Sequence, residues 1–245
     1  MPLKRTAGWS IISDMDFSGW EKLSLVDFDD NLTTTLFMAG CPFRCPFCHN
    51  GDLVIHPENA PKIPWEEIKE YLIKRQGMLD AVCISGGEPT LMPDLKDKIR
   101  EIKELGYIVK LDSNGWRPDI LKSLIEEKLV DHIAMDIKNS KEKYCATAGI
   151  EVDMKQIIES VDLLMNSGIS YEFRTTLIDE FHDEEDIRRI GEWIKGAKMY
   201  RLQRFIDSES CIQRGLHQVS LEKAKRFLEI LKPYINNLDL RGYDQ

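Results

Sequence analysis

The chain has 245 residues, 42% hydrophobic and 31% charged, the balance of a globular protein long enough to bury a substantial core. Its 33 basic and 42 acidic residues leave a net charge of −9, which argues against a broad nucleic-acid surface. No apolar run approaches the roughly 20 residues that span a bilayer, and Met1-Pro-Leu-Lys-Arg-Thr6 lacks the apolar stretch of a secretory signal. A cytoplasmic setting without membrane contact is expected, where thiols stay reduced and clustered cysteines favour metal over disulfide.

In chain order, residues 1–22 read as irregular, and Leu23–Phe28 as a short edge strand. The run Leu32–Met38 is the first firm strand, and a cysteine-rich loop follows it. Pro64 opens a helix through Ile73. Ala81–Ser85 is a buried-type strand, Asp94–Leu105 an amphipathic helix stopped by Gly106, and Tyr107–Leu111 a strand. Asp119–Lys128 is a helix, His132–Asp136 a strand, Met154–Asn166 a helix and Ile169–Leu177 a strand. Acidic residues open the helix Asp183–Lys195. Tyr200–Ile206 is a strand, and Ser220 caps a helix through Leu231. Leu238–Tyr243 can add a last edge strand.

Six βα units in succession predict an α/β protein with a parallel sheet and right-handed crossovers. Six are too few for the eight-stranded closed barrel. The expectation is a partial (βα)6 TIM-like barrel. With no repeat, low-complexity tract or long linker, one domain over residues 1–245 is the economical reading. Its core runs over 23–206, and a C-terminal helix and tail over 207–245. Chemistry in such folds sits at the carboxyl ends of the strands.

Cys41, Cys45 and Cys48 stand in a C-x₃-C-x₂-C spacing directly after the first firm strand. Three thiolates on one short loop can hold three corners of a cubane iron–sulfur cluster. Such clusters usually take four Cys ligands, so one iron would stay open to bind something else. The competing reading is a Cys₃His zinc site that includes His49. Adjacent residues point different ways, which sets Cys48 and His49 against sharing one ion. Cys83, Cys145 and Cys211 are scattered singly, and His56, His132, His182 and His217 show no ligand spacing.

Polar and Gly-rich segments close the later strands: Ser85-Gly86-Gly87-Glu88-Pro89-Thr90, Asp112-Ser113-Asn114-Gly115, Asp136-Ile137-Lys138 and Arg174-Thr175-Thr176. Gly86 and Gly87 can bring bare backbone up to a ligand, or form a plain βα turn. Asp112 and Asp136 could face one another across strand ends and hold a cation or an ammonium group, or each could cap a turn. Lys138 shares a strand face with Asp136 if the strand persists. Arg174, partly inside a strand, calls for an anionic partner.

These motifs together, over residues 23 to 206, resemble the radical S-adenosylmethionine (SAM) superfamily. Cys48-His49-Asn50, Leu111-Asp-Ser-Asn-Gly115 and Met135-Asp136-Ile-Lys138 are most similar to activating enzymes of glycyl radical enzymes. The segments Ser24–Phe28 and Leu36–Cys41 look like the anaerobic ribonucleoside-triphosphate reductase activating branch. The resemblance implies a radical SAM core in which Cys41, Cys45 and Cys48 hold a [4Fe–4S] cluster, and SAM binds the fourth iron through its amino and carboxylate groups. Electron transfer to the sulfonium would give methionine and a 5′-deoxyadenosyl radical, which takes hydrogen from a glycine of the partner enzyme.

By the same resemblance Phe47 lies beside the adenine, and Gly86, Gly87 and Glu88 engage the methionine portion. Ser113 and Lys138 serve the amino-acid end, Asn114 also belongs to the cofactor-binding set, and Arg174 lies near the ribose or carboxylate. Asp112 and Asp136 match positions that hold a monovalent cation in a relative. A flavodoxin- or ferredoxin-type donor is implied as the electron source. Relatives that act on pyruvate formate-lyase carry Leu-Pro-x-His near the last strand, where this chain has Arg201-Leu-Gln203-Arg204-Phe205. A radical SAM enzyme acting on a small molecule, nucleoside or peptide is the first rival reading. A zinc-binding interaction protein is the second.

Overall fold

The computed structural model describes residues 16–243. One eight-stranded sheet runs through them in sequence order, β1 (Phe17–Ser24), β2 (Thr33–Met38), β3 (Ala81–Gly86), β4 (Ile108–Ser113), β5 (His132–Asp136), β6 (Ser170–Leu177), β7 (Tyr200–Arg204) and β8 (Leu238–Arg241). Strands β2 to β8 are parallel to their neighbours, and β1 lies antiparallel on β2. The helices are α1 (Gly51–Ile55), α2 (Trp65–Arg75), α3 (Leu95–Glu104), α4 (Pro118–Glu126), α5 (Tyr144–Ala148), α6 (Met154–Asn166), α7 (Glu184–Trp193) and α8 (Leu221–Leu231).

Six crossovers join β2 to β8, as the alternation of signals predicts. The N-terminal expectation is corrected. Up to residue 15 the stretch read as irregular lies outside the described residues, as does the segment read for a secretory signal. From Phe17 the chain is a strand, with Phe17 fully buried and register-paired to Met38. Of the edge strand expected at Leu23–Phe28, Leu23 and Ser24 end β1 and residues 25–28 are a bend, because Leu25 and Val26 find no apolar cover and stay exposed. The short helices α1 and α5 were not legible, each being only five residues long.

The apolar core lies outside the sheet, not within its curve. Outward-facing Val82, Ile84, Val109, Leu111, Ile133, Met135, Phe173 and Leu202 are buried. Against this layer pack the inner faces of the helices, with Ile68, Ile99, Leu121, Ile157, Ile187 and Phe227 all inaccessible to solvent. Strand alternation then sends the opposite set inward, and on β4, β6 and β7 that set carries charge: Lys110 and Asp112, Glu172 and Arg174, Arg201.

The bend over residues 25–30 shows how far the sheet curls. Asp27 accepts from Thr35 of β2 at 2.6 Å, and its carbonyl accepts from Lys110 of β4. The Phe28 ring lies 5.2 Å from His132 of β5. Asp29 pairs with Arg201 of β7 and, at 2.8 Å, with Arg241 of β8. A six-residue bend can reach five strands of one sheet only if the sheet wraps around it. The structure is an open, partial barrel closed at its amino end by this plug. Among the described residues no helix is long and apolar enough to cross a membrane.

Asp29 ties the plug to both distal strands from a half-exposed position, so Asp29→Ala should lower unfolding free energy by about 1 kcal/mol. Urea denaturation measures this directly. An unchanged midpoint and slope would show that the plug does not brace the barrel.

Candidate active site

The loop after β2 is held by backbone belonging to other parts of the chain. Gly40 N donates to Leu53 O (2.8 Å), Arg44 N to Ala148 O at the end of α5 (2.9 Å), and Gln213 N to Pro46 O (2.8 Å). Ile212 N reaches Cys48 O at 3.3 Å, and Gly51 N reaches Ser210 O at 3.0 Å. Gly149 turns with φ +73°, and a side chain there would meet Arg44 O at 2.1 Å. The loop is thus clamped from both sides before any metal enters.

Gly87 explains the Gly-Gly segment in part. A Cβ on Gly87 would lie 1.9 Å from Gly40 O, because its backbone runs directly against the cysteine loop. Gly87 N donates to Met38 O (2.8 Å) and Glu88 N to Gly40 O (2.8 Å), while Gly86 O accepts from Asn50 Nδ2 (3.0 Å). The close approach is therefore made to the chain's own backbone.

Cys41, Cys45 and Cys48 line one cavity of about 190 Å³ at the carboxyl ends of β2 to β6. With them stand Phe47, Gly86, Gly87, Asp112, Ser113, Asn114, Asp136, Lys138 and Arg174, so the structure brings twelve of the thirteen sequence-predicted site residues together. Glu88 is the exception. It is fully buried behind the wall, where its carboxylate accepts from Ser113 Oγ (2.9 Å), Asn114 N (2.7 Å), Thr90 N (3.1 Å) and Thr90 Oγ1 (2.5 Å). Its place is that of a strut joining the ends of β3 and β4, not of a group facing the cavity.

The thiols are shielded. Burial pushes Cys45 up to about 11 against the pull of Lys138, and raises Cys41 and Cys48 as well. A metal bound here has to displace protons. Asn114 Nδ2 and Phe43 N lie 3.5 and 3.4 Å from Cys41 Sγ and can donate to a sulfur bearing negative charge. Among the described residues no three His, Cys, Asp or Glu side chains are grouped so as to hold a single metal ion.

Below the thiols runs an ion ladder. Arg174 Nε lies 3.0 Å from Asp136 Oδ1 and its Nη1 3.2 Å from Asp112 Oδ2. Lys138 Nζ is 2.9 Å from Asp136 Oδ2, and Lys110 Nζ 3.2 Å from Asp112 Oδ1. Ser85 Oγ donates to Asp112 at 3.0 Å. Burial works against the Asp136 carboxylate, but Lys138 and Arg174 outweigh it and hold the group down to about 2. Burial likewise opposes the Lys138 and Arg174 charges, and the facing carboxylates hold both above their ordinary values.

Sequence reasoning missed Lys110 and Phe43 as parts of this site or its floor, and it gave no role to Ser85, Asn50 and Thr176 within the segments it singled out. Lys110-x-Asp112 and Glu172-x-Arg174 do carry a signal, a two-residue charge alternation within runs otherwise read as strands. His49 lines the cavity mouth, with its ring stacked 5.4 Å from Phe205 and Nε2 2.5 Å from Ile206 O. His182 is buried, Cys83 is packed inside, and Cys145 and Cys211 do not line the cavity.

Two outcomes follow from this geometry. Gly87→Ala should cost about 2 kcal/mol through the clash with Gly40, read as a lower melting temperature. Asp136 is charged in the fold down to about pH 2 but ordinarily protonates near 3.8. Its contribution of about 2 kcal/mol is therefore complete above about pH 4 and drains away as the pH falls toward 2. Asp136→Asn should flatten the acid limb of a stability–pH curve, and an unaltered limb would show that the charge is not held this way.

The description of the Radical SAM superfamily matches residues 35–194. A Methanocaldococcus jannaschii protein carrying the name "Putative glycyl-radical enzyme activating enzyme" is 33% identical over 236 residues, covering 91% of this chain and 95% of the relative. A Staphylococcus aureus pyruvate formate-lyase-activating enzyme is 30% identical over 186 residues, 71% of this chain and 73% of the relative. Among solved structures, Streptococcus suis SuiB bound to S-adenosylmethionine superposes with a TM-score of 0.67 at 15% identity. That superposition covers 83% of this chain but 48% of SuiB, so the chain spans about half of that protein's length and the likeness is one of fold. Sequence match, open barrel and three-cysteine loop agree: the chain belongs to the radical SAM superfamily and is an enzyme of it.

Proposed function

We propose that this enzyme installs a glycyl radical on a partner protein, as a single radical SAM domain, with anaerobic ribonucleoside-triphosphate reductase as the partner. The observation that carries the chemistry is one cavity whose wall combines three thiols of a single loop with a floor of buried cations and carboxylates. The class of partner rests on the likeness to the M. jannaschii relative, which extends over nearly the full length of both chains. The ribonucleotide reductase assignment rests on the Ser24–Phe28 and Leu36–Cys41 segments.

The residues present fit a [4Fe–4S] cluster and SAM. Cys41, Cys45 and Cys48 would hold the cluster, and among the described residues no fourth thiol lines the cavity. Phe47, Gly86, Gly87, Ser113, Asn114, Lys138 and Arg174 would receive SAM. Bound there, and given one electron from a donor, the two together would supply radical chemistry able to take a hydrogen atom from a glycine. This chain's own groups do the rest. Lys138 and Arg174 offer fixed positive charge to a carboxylate. Glu88 holds Ser113 and Asn114 in place, and Asn114 and Phe43 N aim donors at Cys41. Phe47 is 5% exposed and walls the cavity against water. A flavodoxin- or ferredoxin-type protein is the proposed electron donor and the cytoplasm the proposed compartment. Where a monovalent cation was expected, Arg174 already spans Asp112 and Asp136.

Anaerobic incubation with dithionite, SAM and the purified reductase should give a glycyl radical doublet by electron paramagnetic resonance. Pyruvate formate-lyase in its place should give none. A doublet on pyruvate formate-lyase alone would reassign the partner, and a SAM-cleaving enzyme that radicalises neither protein would refute the activase reading. Cys45→Ala should lose both the iron–sulfur absorption and the formation of 5′-deoxyadenosine.

A further inference from the structure

Asp112 and Asp136 are the pair expected to share a cation, and each already has two cationic neighbours. Asp136 has Lys138 at 2.9 Å and Arg174 at 3.0 Å, and Asp112 has Lys110 and Arg174, both at 3.2 Å. The register explains how one guanidinium serves both. Arg174 is the direct cross-strand partner of Asp136, and Asp112 lies two strands away on β4. Between them on β5 the facing position is Ala134, which pairs with Asp112 on one side and Glu172 on the other. A single methyl group there leaves room for Arg174 to reach across the strand. The same gap lets Lys110 approach Glu172 at 3.8 Å.

Lys110 is the less expected member. It is 2% exposed, sits on the amino side of the cavity floor, and takes no part in the cavity wall. Beyond Asp112 it is anchored by Asp27 O of the barrel plug. A buried ammonium is retained only where anions hold it. Here Asp112 and Glu172 do so, and the consequence reaches Arg174 through the shared carboxylate. An alkali ion placed between Asp112 and Asp136 would find three of their four oxygens engaged; the fourth, Asp112 Oδ1, accepts no hydrogen bond but has the Lys110 ammonium 3.2 Å away.

We propose that Lys110 and Arg174 serve as a built-in cation for the Asp112–Asp136 pair. The site then takes no alkali-metal ion, and Lys110 is a positioning residue that fixes Arg174 at the cavity floor. This rests on the proposed function only for the cofactor used in the titration.

The test uses the cluster-loaded enzyme at one ionic strength in potassium, sodium or choline chloride. Thallium(I) NMR reports any alkali site, and calorimetry reports SAM affinity. The wild-type enzyme should show no bound thallium and the same affinity, within about twofold, in all three salts. Lys110→Gln removes the charge but keeps a donor for Asp27 O. It should gain a bound-thallium signal and bind SAM about tenfold more tightly in potassium than in choline. If that variant does not fold, Lys110→Gln combined with Glu172→Gln preserves the interior charge balance and carries the same expectation. Bound thallium on the wild-type enzyme, or a folded variant indifferent to the salt, overturns the proposal. Neither readout involves a partner protein, so a failed glycyl radical assay leaves this result standing.

Discussion

Charge placed inside a curved sheet must be matched by charge, and this requirement shapes the whole barrel. The parallel strands give their apolar sides to the helices, leaving an inner surface that carries Lys110, Asp112, Asp136, Glu172, Arg174 and Arg201. An isolated ionised group there would cost several kcal/mol. The chain meets the requirement by alternating sign along the strands and pairing opposite charges between them, from Asp29 and Arg201 at the amino end to Asp136 and Lys138 at the cavity. Most of the apolar core thereby lies in the sheet–helix layer, and the interior is filled by paired charges up to the cavity that the thiols line.

The cysteine loop obeys a second constraint. Its three sulfurs have to sit together without help from regular structure, since residues 39–50 form neither helix nor strand. Backbone from α5, from the Gly86–Glu88 segment and from residues 210–213 supplies the missing hydrogen bonds. Because those supports follow β3, β5 and β7, strands spread across the sheet, the site exists only when the barrel is assembled. The local spacing of the cysteines provides the ligands, and the tertiary fold provides their geometry.

Much of the strand order was legible, because six apolar runs alternate with amphipathic helices whose ends carry caps such as Asp153, Asp183 and Ser220. The cysteine spacing and the strand-end motifs also located the cavity. What was hidden depends on long-range contact. Phe17–Ser24 could not be read as a strand, since Glu21, Lys22 and the exposed Leu23 blur its alternation and its pairing with β2 is what fixes it. Glu88 looked like a ligand-facing acid, yet its neighbours Ser113 and Asn114 come from another strand and consume it. Gly87 looked open to a ligand, and only the position of Gly40 shows what it avoids. The pairing of Asp136 with Arg174 is a matter of register, which no local pattern encodes.

The clamp on the cysteine loop is made almost wholly of peptide groups, with Ser210, Ile212 and Gln213 contributing an amide or a carbonyl and not a functional group. Such an attachment is blind to side-chain identity. The 206–215 segment borders the cavity mouth through Ile206 and His49, so its outward residues could be exchanged wholesale while the metal-binding loop stays anchored. The anchoring of the metal-binding loop and the side-chain identity of the rim segment are in this way mechanically decoupled. The mouth of the cavity keeps its footing whatever outward residues that segment carries.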